Sequence, residues 1–284
     1  MISNKTIAIL TAGGIGARFI PETGEVWNKS KVWVVQDGKT MLEHTLEQLL
    51  PITKIDNIYV LFDVHSEQEF YRNKELCQRI SERYNLTIGK CSFNNVNIGN
   101  NRKVITYLRE KDKYPSTFMI LKEFLKNIQT KADRLLFVYG HSPRPKSYYE
   151  EMLYTHIQLA TSPYGSIRDA LVATQVPKST RRLPISMKIL YPNIEDESVS
   201  LTRKIEPPYV LNTSLVEKSK SADWLNFFDS TRALELLLET PLLRAPHEFN
   251  YKNESDSYME YIQSQYKTCD TDEELMAKYP KLYA

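Results

Sequence analysis

Along the first half of the chain, short runs of consecutive apolar residues alternate with longer stretches in which apolar positions recur every three or four residues. Thr6–Thr11 reads TIAILT, Asn57–Phe62 reads NIYVLF and Arg134–Tyr139 reads RLLFVY. Each has the length and composition of a strand buried on both faces, as in a parallel sheet. Between them, Met41–Leu50 sets Met41, Leu42, Thr45, Leu46, Leu49 and Leu50 on one helical face, and further helices are predicted over Glu67–Tyr84 and about Ser116–Ile128. Strands that alternate with helices need right-handed crossovers, so the expected architecture is a three-layer α/β/α sandwich around a mostly parallel mixed sheet.

From Leu171 to Val210 the pattern changes. Pro177, Pro184, Pro192, Pro207 and Pro208 punctuate short strand-like stretches such as Ile185–Leu190 and Ser198–Thr202, which predicts a small β arm over about 174–208 rather than another βα unit. Helical periodicity returns over Leu215–Leu238 and Ser255–Tyr266, followed by a short helix over Asp272–Tyr279. The predicted organisation is one domain over 1–267 with a helical tail over 268–284, without internal repeats or low-complexity segments.

Composition narrows the function classes. The 284 residues are 42% hydrophobic and 25% charged, in the range of packed globular proteins. A net charge of +2 gives no general attraction to nucleic acid or anionic lipid, so neither is expected as a partner. Cys77, Cys91 and Cys269 are few, far apart and without metal-ligand spacing, which suits reduced thiols. No apolar stretch approaches the roughly 20 residues of a spanning helix, and no signal peptide is visible, so a cytoplasmic location is expected.

Candidate chemistry is concentrated directly after the first strand, in Ala12-Gly13-Gly14-Ile15-Gly16-Ala17-Arg18. Glycines there let the backbone approach a bulky anion while successive N–H groups converge on phosphate oxygens. Arg18 adds a fork of donors suited to phosphate, and Lys31 would bring a compact cation to the same mouth. The spacing is neither the GxGxxG of a dinucleotide fold nor a Walker loop, which needs a GKS or GKT.

The run Ile7–Leu50 resembles the opening of the nucleotidyltransferase superfamily with a GT-A-like fold, through Ala12–Arg18, Ser30-Lys31, Asp37-Gly38-Lys39 and Met41-Leu42-Glu43-His44. The nearest pattern is that of the cytidylyltransferases acting on methylerythritol phosphate and related polyol phosphates. The match covers about a sixth of the chain strongly. A second match is Gly140-His141-Ser142-Pro143-Arg144-Pro145, where His141 stands at the position of a family aspartate that helps hold the divalent metal or the acceptor.

The resemblance implies a nucleoside triphosphate held by Ala12, Gly13, Gly14, Gly16 and Arg18, with Ser116 as a base contact. Arg18 and Lys31 would be catalytic. His141, Arg144, Arg181 and Lys252 would bind a phosphorylated sugar or polyol, and Mg²⁺ or Mn²⁺ would serve as cofactor, with His141 a possible ligand. It also implies a homodimer made through the arm. For Ser116 the plain alternative is an N-cap after Tyr114-Pro115, and Lys178, Arg181 and Arg182 can equally form a solvated basic turn. Two rivals stand beside nucleotidyl transfer. One is a catalytically degenerate nucleotide-binding regulator, which His141 favours. The other is a GT-A glycosyltransferase, whose Asp-x-Asp motif is matched only by Asp270-Thr271-Asp272 in the tail.

Overall fold

The computed structural model of the chain describes residues 5–13, 30–84, 90–91, 104–109, 116–128, 131–161, 171–176, 186–189, 201–224, 226–228, 242–246, 254–264 and 272–280. Its strands are β1 (Thr6–Thr11), β2 (Val35–Gln36), β3 (Lys39–Thr40), β4 (Asn57–Asp63), β5 (Lys90–Cys91), β6 (Val104–Arg109), β7 (Arg134–Tyr139), β8 (Leu171–Val176), β9 (Ser186–Ile189), β10 (Leu201–Asn212) and β11 (Leu242–Arg244). The helices are α1 (Met41–Leu49), α2 (Val64–Arg72), α3 (Lys74–Tyr84), α4 (Thr117–Asn127), α5 (Lys146–Ala160), α6 (Thr213–Lys218), α7 (Ser255–Gln263) and α8 (Asp272–Lys278).

Among the described residues nine strands form one sheet in the order β11-β8-β10-β7-β1-β4-β6-β5, with β9 paired to β10. β1 lies at its centre, parallel to β4 and β7, and the pairings make β10 the strand that runs against the others. Period-two alternation divides the core. Ala8, Leu10, Leu136, Val138, Val172 and Val210 face α1, α5 and α7, while Ile7, Ile9, Leu135, Phe137, Ala173 and Leu211 face α4 and α6. The predicted α/β/α layering is therefore observed.

The strands expected over Thr6–Thr11 and Arg134–Tyr139 are found with those bounds. The helix expected over Glu67–Tyr84 is two helices, α2 and α3, separated by Asn73, a residue with weak helix propensity. The arm needs correction. Leu171–Val176 is a core strand with every position buried, and β10 continues past its prolines into the main sheet. Pro207 and Pro208 survive in it because the register with β8 shifts between Glu206 and Tyr209, so neither missing N–H is owed to a ladder bond. The first residues of β10 pair with β9 beyond the end of β7.

Local chemistry fixes the elements around the carboxyl edge of the sheet. Asp37 and Gly38 both have positive φ, 50° and 74°, which a two-residue hairpin turn between β2 and β3 requires. Thr40 and Glu43 form a reciprocal capping box at α1: the Thr40 Oγ1 accepts from the Glu43 N–H at 3.2 Å, and Glu43 Oε2 accepts from the Thr40 N–H at 2.7 Å. At the opposite edge Arg134 donates to Nδ1 of buried His156 at 2.9 Å and to the Thr6 hydroxyl at 3.0 Å. A guanidinium on Nδ1 leaves the imidazole proton on Nε2, so His156 is a satisfied core residue.

Candidate functional site

In an open α/β sheet the usual ligand position is the edge at the carboxyl ends of the parallel strands. β1 leaves the sheet there. Its last ladder-like contact is the Ala12 N–H to Leu61 O at 2.9 Å. Ala12 is fully buried and Gly13 is half-buried.

Two segments meet the end of β1. Ser30 Oγ approaches Gly13 O at 3.5 Å, and Lys31 follows directly, opening a short 3₁₀ turn over Lys31–Trp33. The turn is anchored by Trp33, whose indole stacks on Phe62 of β4 with centroids 5.9 Å apart and planes 10° apart. Lys31 is 7% exposed. Ser30 thus lies near Gly13 at the end of β1, whereas Gly14, Gly16 and Arg18 lie outside the described residues, as do Arg181 and Lys252.

The second segment is the turn after β7. The Gly140 N–H donates to Thr11 O at 2.8 Å and its carbonyl accepts from the Thr45 hydroxyl at 2.8 Å. A β-carbon at Gly140 would stand 3.0 Å from Thr11 O and 3.3 Å from Val32 Cγ1, so glycine is what allows the turn to lie against both β1 and the Lys31 segment. His141 follows, half-buried, its ring stacked on Tyr139 at 5.5 Å with planes 9° apart. It thus stands at the carboxyl end of β7, beside the exit of β1.

Arg144 does not have the role expected of it. Its guanidinium is 0% exposed, donating to Glu206 Oε1 at 2.7 Å and to Pro246 O at 2.7 Å, with the rings of Tyr258 and Tyr261 at 5.6 and 5.8 Å. Once desolvated and paired with a carboxylate, it is not presented to an acceptor phosphate. Ser116 is likewise a cap rather than an open base contact. Its Oγ accepts from the Met119 N–H at 3.1 Å and donates to Ala222 O.

One polar group at this edge escaped the sequence reading. Gln175, near the end of β8, is 5% exposed, and its amide nitrogen makes no hydrogen bond among the described residues. A glutamine beside a proline-rich segment carries no signal by itself, and only the antiparallel partner Ile205 and the parallel partner Arg244 show how it becomes enclosed.

Among the described residues no cluster of three or more His, Cys, Asp or Glu is placed to hold a metal ion. A hard cation such as Mg²⁺ is usually bound through one or two carboxylates together with substrate phosphates, so it needs no such cluster. Nor is any described helix long and apolar enough to cross a membrane.

No known protein-family model matches the chain, and no curated protein matches it in sequence. Solved structures do match it in shape. The 4-diphosphocytidyl-2C-methyl-D-erythritol synthase of Anaerococcus prevotii aligns over 92% of this chain and 97% of its own, with 15% identity and a TM-score of 0.50. The inositol-1-phosphate CTP transferase of T. maritima aligns over 93% and 99%, with 13% identity and a TM-score of 0.52. A Methanothermobacter nucleotidyl transferase aligns over 91% and 99%, with 14% identity and a TM-score of 0.50. Identities this low speak for architecture, and on that ground the chain has the mostly parallel α/β fold of the nucleotidyltransferases.

Proposed function

We propose that the chain transfers a nucleoside monophosphate from a nucleoside triphosphate, CTP favoured, to a phosphorylated sugar or polyol and releases pyrophosphate. The observation that carries this reading is the meeting of Gly13 with Ser30-Lys31 at the carboxyl end of β1, within a fold shared by proteins named as nucleotidyl and CTP transferases. In the reaction, a phosphate oxygen of the acceptor attacks the α-phosphorus. The bond from that phosphorus to the bridging oxygen breaks, and its electron pair leaves on pyrophosphate.

Little covalent work falls to the protein in such a step, so positioning and charge neutralisation carry the acceleration. Backbone N–H groups of the glycine loop and the Arg18 guanidinium hold the triphosphate. Lys31 offsets charge growing on the α-phosphate and the leaving group. His141 is the acceptor-side contact from the β7 turn, joined by Arg181 and Lys252. Mg²⁺ or Mn²⁺, held in part by His141, would supply charge neutralisation at the triphosphate oxygens. A homodimer formed through the arm belongs to the same proposal, and sedimentation tests it.

The test is pyrophosphate release with each of the four common nucleoside triphosphates, with Mg²⁺ or Mn²⁺, across a panel of sugar and polyol phosphates. Release confined to one pairing supports the reading and names both substrates. A second reading, a nucleotide-binding regulator without turnover, is favoured by one specific observation: Arg144 is engaged by Glu206 inside the core. Tight nucleotide binding by calorimetry with no release across the panel would decide for it.

A further inference from the structure

Helix α7 touches both the β2–β3 hairpin and the turn after β7, although it follows them by more than a hundred residues in sequence. On one side, the Tyr258 hydroxyl donates to Pro143 O at 2.9 Å, and the Tyr258 and Tyr261 rings flank the Arg144 guanidinium. These contacts grip the turn that carries Gly140 and His141. The same turn is held from α5, where the Arg144 N–H donates to the Tyr149 hydroxyl at 3.0 Å. On the other side, Asp256 Oδ1 accepts from Gln36 Nε2 at 2.6 Å and Gln263 Nε2 donates to Asp37 Oδ2 at 2.9 Å. Those contacts grip the β2–β3 hairpin, whose first strand continues directly from the Lys31 turn.

The helix is built for two-sided contact. Asp256 and Gln263 are seven residues apart and so project from one stripe two turns long. Tyr258, Met259, Tyr261 and Ile262 are buried on the core side. The hairpin is tied into the same network at its base, where His44 Nε2 donates to Gln36 O at 2.9 Å. Burial raises the Tyr258 phenol pKa, against the lowering influence of Arg144, so the proton given to Pro143 O is kept throughout the ordinary pH range.

We propose that α7 is a clamp that sets the separation of the Lys31 segment from the Gly140–His141 turn, with Tyr258 and Asp256 as its positioning residues. Neither residue is placed among the reacting atoms. Tyr258 acts through a backbone carbonyl and Asp256 through the Gln36 side chain, and displacing groups by fractions of an ångström can slow a reaction that depends on alignment. The kinetic consequence rests on the nucleotidyl-transfer reading, but the mechanical one does not.

The experiment is amide hydrogen exchange on the full-length chain and on Tyr258→Phe, Asp256→Ala and Asp256→Asn. Tyr258→Phe keeps the ring beside Arg144 and removes one hydrogen bond, while Asp256 is on the surface, so the variants are expected to fold. A clamp predicts that Tyr258→Phe and Asp256→Ala each speed exchange about tenfold in both segments, 31–36 and 139–145, with helix α4 unchanged. Asp256→Asn, which still offers an oxygen to Gln36, restores the slow rates. Acceleration confined to the segment that lost its own contact overturns the proposal, and so does an Asp256→Asn that behaves like Asp256→Ala.

If the wild-type chain transfers nucleotide, Tyr258→Phe is further expected to lower kcat about tenfold with KM for the triphosphate nearly unchanged. If it transfers none, the exchange result still decides whether α7 couples the two segments.

Discussion

Arg144 and Glu206 form an ion pair 2.7 Å long between a side chain that is fully enclosed and one that is 5% exposed. Their residues approach from the turn after β7 and from β10, and Pro246 O takes a second guanidinium donor. Removing one partner of such a pair strands the other charge in the core. Glu206→Gln is expected to cost about 3–5 kcal/mol of stability, read as a shift in the denaturation midpoint. The double replacement Arg144→Met with Glu206→Leu is expected to recover most of that loss, because it leaves no unpaired charge behind. An acceptor-binding arginine would instead give near-normal stability and a raised KM for the acceptor.

Gly140 and Gly38 are expected to respond to alanine for different reasons. At Gly140 the added carbon meets Thr11 O at 3.0 Å, a backbone atom that cannot swing aside, so overpacking of about 1–3 kcal/mol is expected. At Gly38 nothing lies within 4 Å but φ is 74°, so backbone conformation alone sets a cost of about 1–2 kcal/mol. Thermal unfolding measures both. Gly140→Ala should also slow any turnover, whereas Gly38→Ala should change it little.

Stability should carry a carboxylate signature from Glu43. Burial raises its pKa, but the Arg79 hydrogen bonds at 2.9 and 3.1 Å, with those from the Thr40 N–H and hydroxyl, outweigh that and hold it below the ordinary value. A lowered folded-state value means that the contribution is present above the unfolded value, about 4.3, and disappears as pH falls through the folded one. Urea midpoints measured down the acid range should therefore fall more steeply for the wild type than for Glu43→Gln. The variant should already be weaker at neutral pH. Equal slopes would show that Glu43 does not supply this linkage.

Lys31→Ala tests the proposed electrostatic role. With an identified substrate pair, loss of about a hundredfold to a thousandfold in kcat is expected for removal of one preorganised cationic donor. Full turnover in this variant would remove Lys31 from the mechanism.

Much of the frame was legible before any coordinates. Thr6–Thr11, Asn57–Phe62 and Arg134–Tyr139 announce themselves because a strand buried on both faces must be apolar at consecutive positions, and the glycine turn after β1 is local chemistry. The strands Val104–Arg109 and Leu242–Arg244 carry no pattern of their own. The sequence VITYLR mixes apolar and polar positions, and LLR is too short to show a period. Prolines in β10 argued for an arm, and only the register shift opposite β8 explains how they sit inside a sheet.

Sequence alone determined the α/β class and the central strands, since these follow from periodicity and turn residues. Tertiary structure decided the fates of Arg144 and Ser116 and the part played by Tyr258. The physical reason is that a side chain's role depends on its partner. Glu206, Ala222 and Pro143 lie 62, 106 and 115 residues away from these three in the chain. No local pattern records which of them a strand order will bring within hydrogen-bond reach.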